Sequence, residues 1–134
     1  NVISNSTVPK ITLIIGGSYG AGNYAMSGRA YQPRFMFAWP SSKLAVMGGE
    51  QAAKTMTDIK ISKMGKLEDT QIEKIFNTLK ADYDKQSDPK YAAARLWTDM
   101  IVSPLETREK IMHALDIINN QSNIPAPRFG VLQV

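Results

Sequence analysis

A chain of 134 residues, 43% of them hydrophobic, suits one domain with its own core and is too polar for a membrane protein. Its longest apolar run, residues 11–15, falls well short of the roughly 18 residues that a bilayer crossing needs. No cysteine is present, which excludes disulfides, thiolate metal sites and cysteine nucleophiles. The net charge of +4 is scattered among acids with no Lys/Arg block, which argues against nucleic acid as a partner while leaving other polyanions open.

In chain order, Asn1-Val2-Ile3-Ser4-Asn5 has no initiator Met and no signal or transit pattern, so the chain is expected to be a piece of a longer one. Residues 10–15 form a β-branched run ended by Gly16-Gly17, the pattern of a buried strand. A glycine loop follows over residues 16–23, and residues 24–30 suit a short packed helix. Residues 35–39 and 44–47 are further apolar runs, closed by Pro40 and by Gly48-Gly49. Residues 50–56 read as a helix with Glu50 in its first turn, where the helix dipole favours a carboxylate.

The second half is charged and helical in period. Leu67, Ile72, Ile75, Phe76, Leu79 and Tyr83 repeat as on an amphipathic helix. Ser87-Asp88-Pro89 breaks the pattern and opens a shorter helix running to Trp97. Ser103-Pro104-Leu105-Glu106 combines a capping box with Pro at the first helical position. The helix after it sets Leu105, Ile111, Met112, Leu115 and Ile118 on one face, and residues 119–127 read as a loop. Early strand–loop–helix alternation with helices packed on afterward predicts an α/β layered unit.

The glycine loop lies between a buried strand and a helix start, where backbone N–H groups lack intrahelical partners. Two such groups make an oxyanion hole, and glycines let an anion come close; a tight turn serving only packing is the plainer reading. A Walker-type phosphate cradle fails, because Asn23-Tyr24 stands where Gly-Lys-Ser/Thr is required. Gly16-Gly17-Ser18-Tyr19-Gly20 also matches the G-x-S-x-G of serine hydrolases, with His113 as the lone histidine and Asp82, Asp84, Asp88 and Asp99 before it. Against that reading, His113 falls inside a periodic helix, where a surface or packing role is the default. Tyr24, Tyr31, Phe35 and Trp39 are assigned to the core by default, and Arg29 and Arg34 to solvated surface.

Residues 16–24, with Gly28-Arg29-Ala30-Tyr31, Pro33-Arg34-Phe35, Trp39-Pro40 and Val46-Met47-Gly48-Gly49-Glu50-Gln51-Ala52-Ala53, resemble the carboxyltransferase (beta) subunits of methylcrotonyl-CoA carboxylases. Tyr91-Ala92-Ala93-Ala94-Arg95-Leu96-Trp97, residues 101–108 and the terminal Phe129-Gly130-Val131 are similar to the family's end, and residues 54–88 carry only helical character. The resemblance implies that residues 1–134 are the later part of the second of two crotonase-like domains. It implies carboxyl transfer from carboxybiotin, carried on a biotin carboxylase/biotin carrier partner, to an acyl-CoA, within a homo-oligomer of carboxyltransferase subunits.

Carried over by position, the oxyanion donors are the backbone N–H groups of Ala21 and Gly22. Gly20, Tyr24, Val46, Met47 and Gly48 are then the substrate-binding residues. Tyr24 stands where the propionyl-CoA type has an aspartate that influences acyl choice, so an aromatic there suits a branched, unsaturated chain. No metal is implied, and the compartment is bacterial cytoplasm or mitochondrial matrix. Without the first domain and its CoA site, the chain alone is expected to be inactive. A serine hydrolase using Ser18 and an assembly module whose helices dock partner subunits are the competing readings.

Overall fold

The computed structural model describes residues 2–65, 67–121 and 125–126. A short turn of helix, α1 (Val2–Asn5), leads into β1 (Ile11–Ile14), β2 (Gly17–Tyr19) and α2 (Gly20–Ala25). A 3-10 turn at Arg29–Tyr31 precedes β3 (Phe35–Ala38) and β4 (Lys43–Ala45). The helices α3 (Gly49–Met64), α4 (Asp69–Gln86) and α5 (Pro89–Ala93) follow, then β5 (Met100–Ile101), a 3-10 turn at Pro104–Glu106 and α6 (Thr107–Asn119). The mixed α/β architecture is the one the sequence pattern predicts.

The strands form two parallel sheets, β1-β3-β5 and β2-β4. In the first, Ile14 stands beside Ala38 and Thr12 beside Met36, so strand alternation sends these residues to one face. Ile14, Met36 and Ala38 are buried there, with Leu44 packed against them. Phe37 points to the other face and is buried with Val102 and Ala114, under Ile11, Leu13, Phe35 and Ile111. Apolar residues on both faces account for the unbroken apolar runs of β1 and β3, as a parallel sheet covered on both sides requires.

Several elements depart from the pattern read along the chain. Helix α2 starts at Gly20, inside the expected loop, and has ended by Ala25; Ser27 at φ 59° and the Gly28 N–H bonded to the Asn23 carbonyl turn the chain out of it. Helix α3 continues past Met56 to Met64, because no breaker intervenes before Gly65 and α4 packs along it. Helix α5 stops at Ala93, so Trp97 lies beyond it, after Leu96 in the left-handed region at φ 60°.

Strand β5 has no sequence signature; its two residues extend only because Phe37 and Ala38 of β3 pair with them. The capping box expected at Ser103 is absent, and a backbone bond from the Glu106 N–H to the Ser103 carbonyl makes a 3-10 turn instead. A capping box does form at Glu68 and Gln71, at the start of α4. Much of the expected apolar face of α6 is open: Met112 and Leu115 are exposed, as is Leu105 in the turn before it, while Ile111 of that face packs with Ala114 toward the sheet. The terminal Phe129-Gly130-Val131 lies outside the described residues. Among the described residues, no helix is long and apolar enough to cross a membrane.

Candidate functional site

Strands β2 and β4 run in parallel with Ser18 beside Leu44 and Tyr19 beside Ala45, so both end at the same level. Each then enters a helix: α2 directly at Gly20, and α3 at Gly49 after the N-cap Gly48. Ligand sites of open α/β folds lie at such carboxyl ends of parallel strands. The first-turn N–H groups of α2, on Gly20, Ala21 and Gly22, have no intrahelical acceptor. Gly20 makes the turn at φ +50°, and a Cβ there would stand 3.0 Å from the Val46 carbonyl oxygen. A side chain there would be strained by the conformation and crowded by that oxygen, and glycine avoids both. Ala21 and Gly22 are exposed, and a Cβ on Gly22 or on Gly48 would meet no atom within 4 Å.

Beside this junction lies an open cleft of about 340 Å³. Gly20, Asn23, Tyr24, Arg29 and Ala30 line one side, and Leu44, Ala45 and Val46 of the β4 end the other; Met36 and Trp97 complete it. Of the residues expected in a site, Gly20, Tyr24 and Val46 therefore share the cleft. Ala21 and Gly22 sit next along α2, and Met47 and Gly48 lead from Val46 into α3; none of these four lines it.

Tyr24, assigned to the core by default, is 51% exposed and meets Tyr31 edge-on at 5.8 Å. The six-residue α2 is too short to cover it. Phe35 packs in the core as expected, stacked on Phe37, and the half-buried Trp39 donates its indole N–H to Thr107 Oγ1 at 2.9 Å.

Ser18 Oγ accepts a hydrogen bond from Asn23 Nδ2 at 2.9 Å. His113 is exposed on α6 and lines a separate surface groove with Leu105, Arg108 and Asp116. The described residues thus bring an amide, and not an imidazole, to the serine hydroxyl. Among them no three of His, Asp and Glu gather as a metal site would require.

Arg29 is not the solvated cation its sequence context suggests. Its Nη2 meets Asp99 Oδ1 at 2.8 Å, and its Nε donates to the Trp97 carbonyl at 3.0 Å. Asp99 Oδ2 accepts the Met36 N–H at 2.8 Å, and the Asp99 N–H donates to the Met36 carbonyl at 2.8 Å. With side chains 36% and 39% exposed, the pair contributes under about 1 kcal/mol, so its weight here is geometric.

The sequence pattern of the carboxyl transferase domain matches residues 1–132. The chain belongs to the carboxyl transferase domain family. It is 44% identical, over 86% of its own length and 22% of the relative's, to the biotin-dependent 3-methylcrotonyl-coenzyme A carboxylase beta1 subunit of Mycobacterium tuberculosis. Its structure is similar to the beta subunit of the geranyl-CoA carboxylase of P. aeruginosa, with TM-score 0.78 and 41% identity over 97% of this chain and 25% of that one. It is also similar to the transcarboxylase 12S hexamer holding hydrolysed methylmalonyl-coenzyme A, with TM-score 0.78 and 32% identity over 96% of this chain and 24% of that one. The chain therefore spans about a quarter of the length of these carboxyltransferases. The resemblance read from residues 16–53 and 91–108 is borne out at the level of family, and the crotonase-like α/β fold it implies is the one shared with these subunits.

Sequence reasoning named the glycine loop of this carboxyl transferase chain but missed Asn23, Met36, Leu44 and Trp97 as cleft residues. Asn23 was within reach, as the polar side chain closing the loop. Trp97 was not, since the bonds that bring it in span about seventy positions.

Proposed function

We propose that this chain is the part of a carboxyltransferase subunit that stabilises developing oxygen charge during carboxyl transfer from carboxybiotin to a branched, unsaturated acyl-CoA such as 3-methylcrotonyl-CoA. The observation that carries the reading is the junction at Gly20, where a parallel strand turns at positive φ into a helix whose first N–H groups have no intrahelical acceptor, with open space where a Gly22 side chain would stand. The backbone N–H groups of Ala21 and Gly22 are the donors. Preformed donors in such a place cost no reorganisation when charge develops, and removing one costs about 2.7–4 kcal/mol of barrier.

The biotin group fits these residues: beyond Gly22 and Gly48 no atom stands where a side chain would be, which leaves room for a ring against bare backbone. When bound, carboxybiotin supplies the carboxyl group. Gly20 holds the turn, Tyr24 and Val46 flank the reacting group from the cleft, and Met47 and Gly48 shape the second strand end. The CoA portion is held by the rest of the subunit or by a neighbouring copy, so the chain alone is inactive. The partners are a biotin-carrying subunit and further copies of the carboxyltransferase.

The test is acyl-CoA-dependent carboxylation by the full-length subunit reconstituted with its biotin-carrying partner, over 3-methylcrotonyl-, geranyl-, propionyl- and acetyl-CoA. Turnover of a branched, unsaturated substrate is expected, with Gly22→Pro lowering kcat about 100- to 1000-fold in an intact assembly. Gly22 is the third residue of α2, where the N–H has no intrahelical acceptor, so proline removes that donor without breaking a helical bond. An intact complex that carboxylates no CoA ester would leave a kinship of fold and bring the Ser18 hydroxyl forward as nucleophile.

A further inference from the structure

We infer that Trp97 is a specificity-determining residue of the cleft, contacting the apolar acyl chain, and that Arg29 and Asp99 are positioning residues that hold it there. The inference rests on the carboxyltransferase reading above. Asn23 and Arg29, the amide and the cation lining the cleft, are engaged within the chain. Asn23 gives its amide to Ser18, and Arg29 gives Nε to the Trp97 carbonyl and Nη2 to Asp99, whose carboxylate balances its charge. The side-chain surface left for a ligand is that of Tyr24, Leu44, Val46 and Trp97. Such a surface favours an apolar chain over a charged group, which would have to be desolvated against partners already paired.

Trp97 is delivered to this place by an unusual backbone. Leu96 adopts φ 60°, and the Trp97 N–H bonds back to the Ala92 carbonyl at 2.9 Å. Its ring meets Tyr91 edge-on at 6.1 Å, and the other partner of Tyr91, the Arg95 guanidinium, lies 3.4 Å from the ring centroid. Asp99 then ties the segment to β3 through both backbone groups of Met36, a side chain that is fully buried while its edge reaches the cleft. An aromatic whose backbone is bonded to Arg29 and Ala92 and whose ring meets Tyr91, yet which is 42% exposed within this chain, is a preformed contact surface.

The experiment uses the full-length subunit assembled with its biotin-carrying partner, and reads kcat and KM together with calorimetric dissociation constants for 3-methylcrotonyl-CoA and propionyl-CoA. Trp97→Ala is expected to weaken binding and kcat/KM for 3-methylcrotonyl-CoA about 10-fold or more, with less than about 2-fold change for propionyl-CoA. Trp97→Phe is expected to restore part of the ratio. Arg29→Lys and Asp99→Asn are each expected to lower the same ratio, and the double variant no further than the more damaging single, as for two residues acting as one unit.

An unchanged ratio, or an equal loss for both substrates in an intact assembly, would overturn the inference while leaving the carboxyltransferase reading standing. If Trp97→Ala does not assemble, Trp97→Phe decides on the same ratio, and no change there overturns it. Absence of turnover and of acyl-CoA binding in the unsubstituted assembly would sink the carboxyltransferase reading and this inference with it.

Discussion

Where β2 and β4 end, shape depends on residues far apart in the chain; where α4 and α5 start it depends on residues a few positions apart. The cleft is closed by Arg29 on Trp97 and Asp99, by Asp99 on Met36, and by the fit of Gly20 under the Val46 carbonyl. Helix α4, by contrast, starts on its own Glu68–Gln71 capping box, and α5 on the Asp88 side chain, which accepts the Lys90 N–H at 2.8 Å. No residue of α4 is fully buried within this chain. The first region concentrates burial and conformational constraint in few residues; the second spreads weak local terms along regular helix. Substitutions in the first are therefore expected to cost more, residue for residue.

Met36 is the place where that contrast is expected to be greatest. Its side chain is fully buried against Ile14 and Ala38, and Met36→Ala is expected to destabilise the full-length subunit by about 2–5 kcal/mol in urea unfolding. A cost below about 1 kcal/mol would mean that the sheet core is not what holds the cleft.

Next comes Gly28→Ala. The added Cβ would collide with the Asn23 side-chain amide and come within 2.8 Å of the Asn23 carbonyl, whose bond to the Gly28 N–H ends α2. A loss of about 1–3 kcal/mol is expected in the same assay, with kcat falling as the α2 donors are displaced. Retained stability together with retained kcat would show that the α2 turn can yield without consequence.

In the helical region, Asp88→Ala removes one N-cap and is expected to cost about 1 kcal/mol, with no change in the acyl-CoA preference. A cost exceeding that of Met36→Ala would reverse the contrast between the regions. The smallest effect is expected at Leu105, 95% exposed within this chain, where Leu105→Gln is expected to stay within about 0.5 kcal/mol. A larger loss in the assembled enzyme, and not in the unassembled subunit, would show that another subunit covers the open face of α6.

The strands β1 and β3, the amphipathic α4 and the break at residues 87–89 were legible because each rests on a signal within one or two turns of chain. The glycine loop was legible as a place, and its length as a match to a family. Its internal structure was not: α2 begins four residues earlier than the pattern suggests, since the end of pairing with β4 at Tyr19, and not helix propensity, decides where the strand gives way. Tyr24 was misassigned for a related reason. Burial is a property of what stands opposite, and neither composition nor period reveals it.

By itself, then, the sequence determined the fold class, the family, the end of β1 before Gly16 and the break at Gly48-Gly49, because hydrophobic period, breakers and long motifs are local and survive without a partner. Only the tertiary structure decided which side chains meet. It joined Arg29 to Asp99, gave the Ser18 hydroxyl to Asn23 in place of a histidine, extended β5 against β3 and brought Trp97 to the cleft. These contacts arise when the parallel register of distant strands fixes the positions of the loops between them, and that register is a property of the packed sheet.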